Sequence, residues 1–152
     1  MNMSMPQQTR SDAGLASALR ISVSRLARRL RAERYTKGLE PDLSDTQLAA
    51  LAALERHGQM TPGELAEHEK VQPPSMTRVV AVLEERRLVM RAPHATDRRQ
   101  VVLTVTEAGR AVVQQSRRLR EAWLAKRLHE LTPEERATLR AAAPILEKLS
   151  QS

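Results

Sequence analysis

Asp97-Arg98-Arg99-Gln100-Val101-Val102-Leu103-Thr104-Val105-Thr106-Glu107-Ala108-Gly109 is the stretch whose reading decides the fold. It opens on three charged residues, and Thr106 near its end is placed to cap a helix. Between them Val101, Leu103 and Val105 alternate with Gln100, Val102 and Thr104. That period of two is what a half-buried strand requires, with residues 101, 103 and 105 turned to the core. Upstream, Leu88 to Arg91 is a second short β-rich run, and Ala92 to Arg99 between the two is a polar, basic tip. Two such runs joined by such a tip predict a β-hairpin.

Outward from the hairpin the period changes to that of helices. Met76, Val79, Val80 and Leu83 recur on one face of a segment running to about Arg87, opened by Pro73 and Pro74, where missing N–H groups cost nothing. Before it, Thr61 and Glu64 form a capping box with Pro62 at the first helical position, Met60 and Leu65 forming the hydrophobic staple; that helix is short and ends near Glu69. The preceding helix begins with the same grammar: Ser44 with Gln47, and Leu43 with Leu48. Its stripe is Leu48, Leu51 and Leu54, and it stops at Gly58. From Asp12 to about Lys37, Leu15, Leu19, Val23, Leu26 and Leu30 repeat at threes and fours opposite Arg20, Arg25, Arg28, Arg29 and Arg31; Gly38 and Pro41 break the pattern. After the hairpin, Thr106 caps a helix with the stripe Val112, Ser116, Leu119 and Trp123. Thr132, Pro133 and Glu135 then start a last one carrying Leu139, Ala143, Leu146 and Leu149.

Composition narrows the function. The chain has 152 residues, 41% hydrophobic and 28% charged, enough for one domain or one core with appended helices. Trp123 and Tyr35 are its only Trp, Tyr or Phe residues, which leaves no aromatic platform for stacking unpaired bases and argues against a single-strand reader. A formal net charge of +7 points to polyanionic partners. With no cysteine, disulfides, thiol-based metal ligation and thiol redox sensing are excluded. Met1 to Ser11 is polar and is expected to be a disordered tail rather than a secretory leader; no apolar run reaches membrane-spanning length, so a cytoplasmic protein is expected. His57, His68, His94 and His129 form no metal-ligand spacing, and neither a phosphate-cradling glycine loop nor a nucleophile elbow occurs. No enzyme and no cofactor are expected.

A helix, a short turn, a second helix and a two-stranded wing make the winged helix-turn-helix layout. The fourth helix then enters the major groove, where Gln72, Ser75, Thr77 and Arg78 supply an amide for adenine, hydroxyls for phosphates or bases and a fork for guanine; Pro73 and Pro74 can pack on a thymine methyl. On the wing, His94, Asp97, Arg98 and Arg99 can reach a neighbouring minor groove, where an inserted arginine gains from concentrated negative potential. Asp97 is unsuited to phosphates and is expected to orient Arg99 by a charge-assisted hydrogen bond.

The quoted stretch resembles the wing signature of the MarR (multiple antibiotic resistance regulator) family: Asp, any residue, Arg, an apolar strand, Leu or Val, Thr, then Gly. Leu65-Ala66 and Val71-Gln72-Pro73-Pro74-Ser75-Met76-Thr77-Arg78 are similar to its helix-turn-helix, and the helix order fits from about residue 12 to 150. The resemblance implies a homodimer with interleaved terminal helices, 12–37 and 106–150, around a winged DNA-binding domain, 38–105. It implies base contacts from Gln72, Ser75 and Arg78, backbone contact from Thr77, and minor-groove insertion of Arg99 oriented by Asp97. It further implies a sequence-specific regulator of double-stranded DNA, a repressor at a pseudo-palindromic operator. A small anionic aromatic effector would lodge between the DNA-binding lobe and the dimer helices; no pocket residues are identified. The chain departs from the pattern at Arg87, where the family usually has glycine and the backbone often needs positive φ. A non-specific or architectural DNA-binding protein, and a helical module using its basic face on an acidic protein, stay open as alternatives.

Overall fold

The computed structural model describes residues 9–36 and 42–152. The elements are α1 (Asp12–Thr36), α2 (Asp45–His57), α3 (Pro62–Glu69), α4 (Pro73–Glu85), β1 (Val89–Pro93), β2 (Val101–Val105), α5 (Glu107–His129) and α6 (Pro133–Ser150). The expected order, mainly helical with one antiparallel hairpin, is the observed one. Most of the predicted tail, residues 1–8, and the predicted break at Gly38 and Pro41 lie outside the described residues. Ser11 starts α1, its Oγ accepting the Gly14 amide at 3.1 Å. The chain divides into two compact units, Arg34–Arg118 and Met1–Glu33 with Leu119–Ser152. The division falls inside α5, so the winged unit keeps that helix's first half.

In the winged unit, caps decide where helices begin. Ser44 and Gln47 exchange both bonds of a capping box at 3.1 and 3.0 Å, and Leu43 and Leu48 are buried beside it. At α3 the expected box forms only by half: Thr61 Oγ1 accepts the Glu64 amide at 3.1 Å, while exposed Glu64 keeps its carboxylate in water. Leu51, Leu54, Leu65, Met76, Leu83 and Leu103 fill the centre, joined by Val112 and Val113 of α5.

The hairpin pairs Val89 with Val105 through Pro93 with Val101. β1 thus runs past the expected Arg91, and the tip shortens to His94–Gln100; Pro93 fits because a proline at a strand end forfeits little. The expected alternation fails at Val102, which is buried like Leu103, while Val101 and Val105 are half-buried. Sequence patterning also gave no sign that Met60 bridges Leu103, exchanging bonds of 3.3 and 2.7 Å that anchor the wing to the α2–α3 connection.

Between α4 and the wing the chain turns through Arg87 at φ 57°, the left-handed conformation anticipated for a glycine. α4 accordingly ends at Glu85, earlier than Arg87. Lys70, after α3, is left-handed as well, at φ 55°. Thr106 then ties the turn to the next helix. Its hydroxyl donates to the Arg87 carbonyl at 2.8 Å and accepts the Gly109 amide at 3.1 Å, while its own amide donates to Leu88 O at 3.0 Å. Gly109 is needed for space rather than conformation: a Cβ there would run into the Leu88 carbonyl and lie 2.7 Å from Val105 Cγ2.

In the other unit, α6 opens with the predicted box between Thr132 and Glu135, at 3.0 and 3.1 Å. The Thr132 amide and then its hydroxyl hold the Glu135 carboxyl below the ordinary glutamate range. α6 buries none of its side chains, and Leu139, Ile145, Leu146 and Leu149 are 40–61% exposed. The α1 stripe is similarly open at Leu15, Leu19, Val23 and Leu26. Trp123 packs beneath the guanidinium groups of Arg29 and Arg127, at 5.1 and 5.5 Å from its ring centre.

Two substitutions should move stability in opposite directions. Arg87→Gly relieves a left-handed non-glycine residue and is expected to stabilise the fold by about 1 kcal/mol, read as a higher urea midpoint at constant m-value. Gly109→Ala forces a methyl into backbone and is expected to destabilise by about 2–3 kcal/mol.

Candidate DNA-binding interface

α4 owes its orientation to three buried side chains, Met76, Val80 and Leu83, spaced to put one face into the core. Gln72, Pro73, Pro74, Ser75, Thr77 and Arg78 are consequently all exposed, on the N-cap and first turns. Val82, further along the helix, is half-buried. Gln72 is the N-cap, at φ −62° and ψ 139°, yet its amide makes no cap bond and is left to reach outward. Pro73 and Pro74 replace two of the N–H groups that a side-chain cap would otherwise satisfy. Thr77 is less available: its hydroxyl donates to Pro73 O at 3.0 Å, so its proton is engaged within the helix.

The wing tip is ordered by acceptors. His94 Nδ1 accepts the amides of Thr96 and Asp97 at 3.2 and 3.1 Å and lies 3.3 Å from Thr96 Oγ1. The His94 amide donates to Gln100 O, and the Gln100 amide to Asp97 O, each at 3.1 Å. Such bonding requires the tautomer that leaves Nδ1 unprotonated. Asp97 Oδ1 accepts the backbone amide of Arg99 at 3.0 Å. Asp97 was expected to orient Arg99 by a charge-assisted hydrogen bond; the bond present is to the Arg99 main chain, and the guanidinium is exposed with that of Arg98. His94, grouped with the contacting residues by its position on the loop, is half-buried and acts on the turn.

Further contacts brace the wing and the end of α4, and sequence reasoning missed them. Arg91 Nε donates to Glu84 Oε1 at 2.7 Å, joining β1 to α4. Arg86 Nη1 donates to the Asp42 carbonyl at 2.6 Å. The opposite charges of Glu84 and Arg91 were a usable signal once a hairpin followed the helix; nothing in the sequence announced a bond to a carbonyl 44 residues away. The His57 and His68 rings meet edge to face, with centroids 4.6 Å apart, and His68 Nδ1 lies 3.5 Å from Glu69. Among the described residues no group of three or more His, Asp or Glu side chains is placed to hold a metal ion.

An exposed polar helix beside an ordered basic hairpin, on a three-helix core, defines a winged helix-turn-helix transcription regulator. The MarR family model matches residues 43–101. The HTH-type transcriptional regulator MT0903.1 of Mycobacterium tuberculosis is 48% identical over 90% of this chain and 92% of its own length. The HTH-type transcriptional repressor MdtR of Bacillus subtilis is 30% identical over 91% of this chain and 87% of its own. A crystal structure of wild type MarR from E. coli, in its apo form, superimposes with a TM-score of 0.71 at 25% identity, covering 89% of this chain and 96% of that one. The chain belongs to the MarR family, whose helix-turn-helix members are DNA-binding transcription regulators.

Contact and positioning roles on the wing should separate by salt dependence. Arg99→Ala is expected to lower the slope of log affinity against log salt by about one unit. His94→Ala and Asp97→Ala are expected to weaken binding several-fold by loosening the tip, with the slope retained because Arg98 and Arg99 remain. Fluorescence anisotropy titrations of duplex DNA at several salt concentrations measure both.

Proposed function

We propose that this protein is a cytoplasmic, sequence-specific repressor that occupies a pseudo-palindromic operator as a homodimer and blocks transcription there. The observation that carries the reading is the outward turn of α4, where Gln72, Ser75 and Arg78 stand exposed with an amide, a hydroxyl and a guanidinium unspent on capping. Those groups match the donor and acceptor pattern of major-groove base edges. Arg98 and Arg99 on the wing add groove and phosphate contact. Pro73 and Pro74 are suited to a thymine methyl, and Thr77 can meet the backbone after exchanging its internal bond.

Pairing follows from the apolar surface. Leu15, Leu19, Val23 and Leu26 on α1 and Ile145, Leu146 and Leu149 on α6 are 36–61% exposed in one chain. A second copy covering them would set two recognition helices about 34 Å apart, one turn of duplex. Relatives named as repressors, MdtR among them, favour repression. Release would come from a small anionic aromatic effector that changes the spacing of the two recognition helices. No helix of the described residues is long and apolar enough to cross a membrane.

Selection of bound duplexes from a random library is the decisive experiment. Two inverted half-sites with centres about 10 base pairs apart are expected; sequences recovered without symmetry or preference would overturn the reading in favour of non-specific, architectural binding. Arg78→Ala should relax preference at one position in each half-site, at about 1–3 kcal/mol. Leu146→Glu should convert the dimer to monomer in sedimentation and abolish operator binding without unfolding the winged unit.

A further inference from the structure

The charge of this chain is concentrated away from the module that reads DNA. Residues 34–118 hold 13 Lys and Arg against 11 Asp and Glu, whereas residues 1–33 and 119–152 hold 12 against 7. Five of the seven net positive charges therefore belong to the unit of long helices. Within it α1 is the extreme case. Arg20, Arg25, Arg28, Arg29 and Arg31 are all exposed, and no Asp or Glu occurs from Ala13 to Ala32. At about 100° per residue they cover half the helix circumference, opposite the stripe of Leu15, Leu19, Val23, Leu26 and Leu30.

Such a face is more than a solubilising surface. Arg25 with Arg28, Arg25 with Arg29, and Arg28 with Arg31 are like-charged neighbours at three and four residues, each repelling by about 0.2–0.5 kcal/mol. A solvated helix avoids this by mixing signs, as α6 does with Glu134, Glu135, Arg136, Arg140, Glu147 and Lys148. A bound polyanion removes the repulsion. Every basic residue on the face is arginine, whose planar fork suits phosphate oxygens. Arg20 to Arg31 spans about 16 Å of helix, a length over which duplex DNA presents about nine phosphate charges.

We propose that the arginine face of α1 is a second DNA-contacting surface, gripping the phosphate backbone of duplex DNA without regard to sequence. The inference rests on the reading of the chain as a duplex-binding protein and adds a site outside the recognition helix and wing. A lipid surface is the less fitting partner, because the apolar stripe of α1 carries no Trp or Phe to anchor it.

The test is a triple variant of the full chain, Arg20→Gln, Arg25→Gln and Arg28→Gln, with the matching Arg→Lys triple as a charge-retaining control. Arg29 stays, because it packs on Trp123. Binding is followed by anisotropy on a pool of random-sequence duplexes across a salt series. The Gln triple is expected to lower the salt slope by about 2–3 units, leaving the sequences recovered by selection unchanged, while the Lys triple keeps the slope. An unaltered slope overturns the proposal, as does an equal loss in the Lys triple. Weakened self-association of the Gln triple in sedimentation would assign the face to the seam between copies, and loss only of binding to phosphatidylserine vesicles would assign it to membranes; either result overturns it too. If the wild-type chain binds no duplex at all, the underlying reading has failed; if it binds and the Gln triple matches it, only this proposal has.

Discussion

The winged unit depends on one close approach, where the start of α5 meets the foot of the wing. Gly109 has no room for a methyl between the Leu88 carbonyl and Val105. Thr106, three residues earlier, bonds at once to Arg87 O, Leu88 O and the Gly109 amide. These contacts bring the turn that follows α4, the foot of the hairpin and the next helix to a single point. The left-handed Arg87 is tolerated there because its carbonyl is held by a neighbour that the rest of the core keeps in place. Without that junction the wing would be a hairpin of two short strands, marginal in water.

Helix starts and faces were legible in advance because they are local chemistry. A serine or threonine with Gln or Glu three residues on announces a helix start within four residues, so the beginnings at Ser44, Thr61 and Thr132 needed no tertiary information. The buried stripes followed from period alone. What could not be read was whatever the rest of the molecule decides. Val102 looked outward by alternation and is buried; Met60 looked like a staple and also completes the sheet edge. Lys70 is left-handed although nothing about a lysine announces it.

The candidate site divides along the same line. Exposure of Gln72, Ser75 and Arg78 was predictable, being the complement of the Met76, Val80 and Leu83 stripe. The wing tip was readable only as a set of residues. Which of them point outward and which hold the loop depends on hydrogen bonds two or three residues long, and there His94 and Asp97 turn out to serve the backbone. A loop that satisfies its own amides presents its arginines from a stiff base, so less entropy would be lost if they were seated in a groove, as proposed.

Net charge, the feature that first suggested a polyanionic partner, turns out to be a poor locator. The unit carrying recognition helix and wing is close to neutral, because Glu84, Glu85, Glu64, Glu67 and Glu69 offset much of its basic content. Near-neutrality suits a reader of base edges. A strongly basic module would adhere to any duplex, since phosphate attraction raises specific and non-specific affinity together. If α1 grips phosphates as proposed, keeping the excess on a separate helical unit would separate the two quantities, with sequence preference set by the exposed donors and acceptors of α4 and overall attraction set elsewhere. The two could then be altered independently, an advantage to any protein that must find one site among many competing ones.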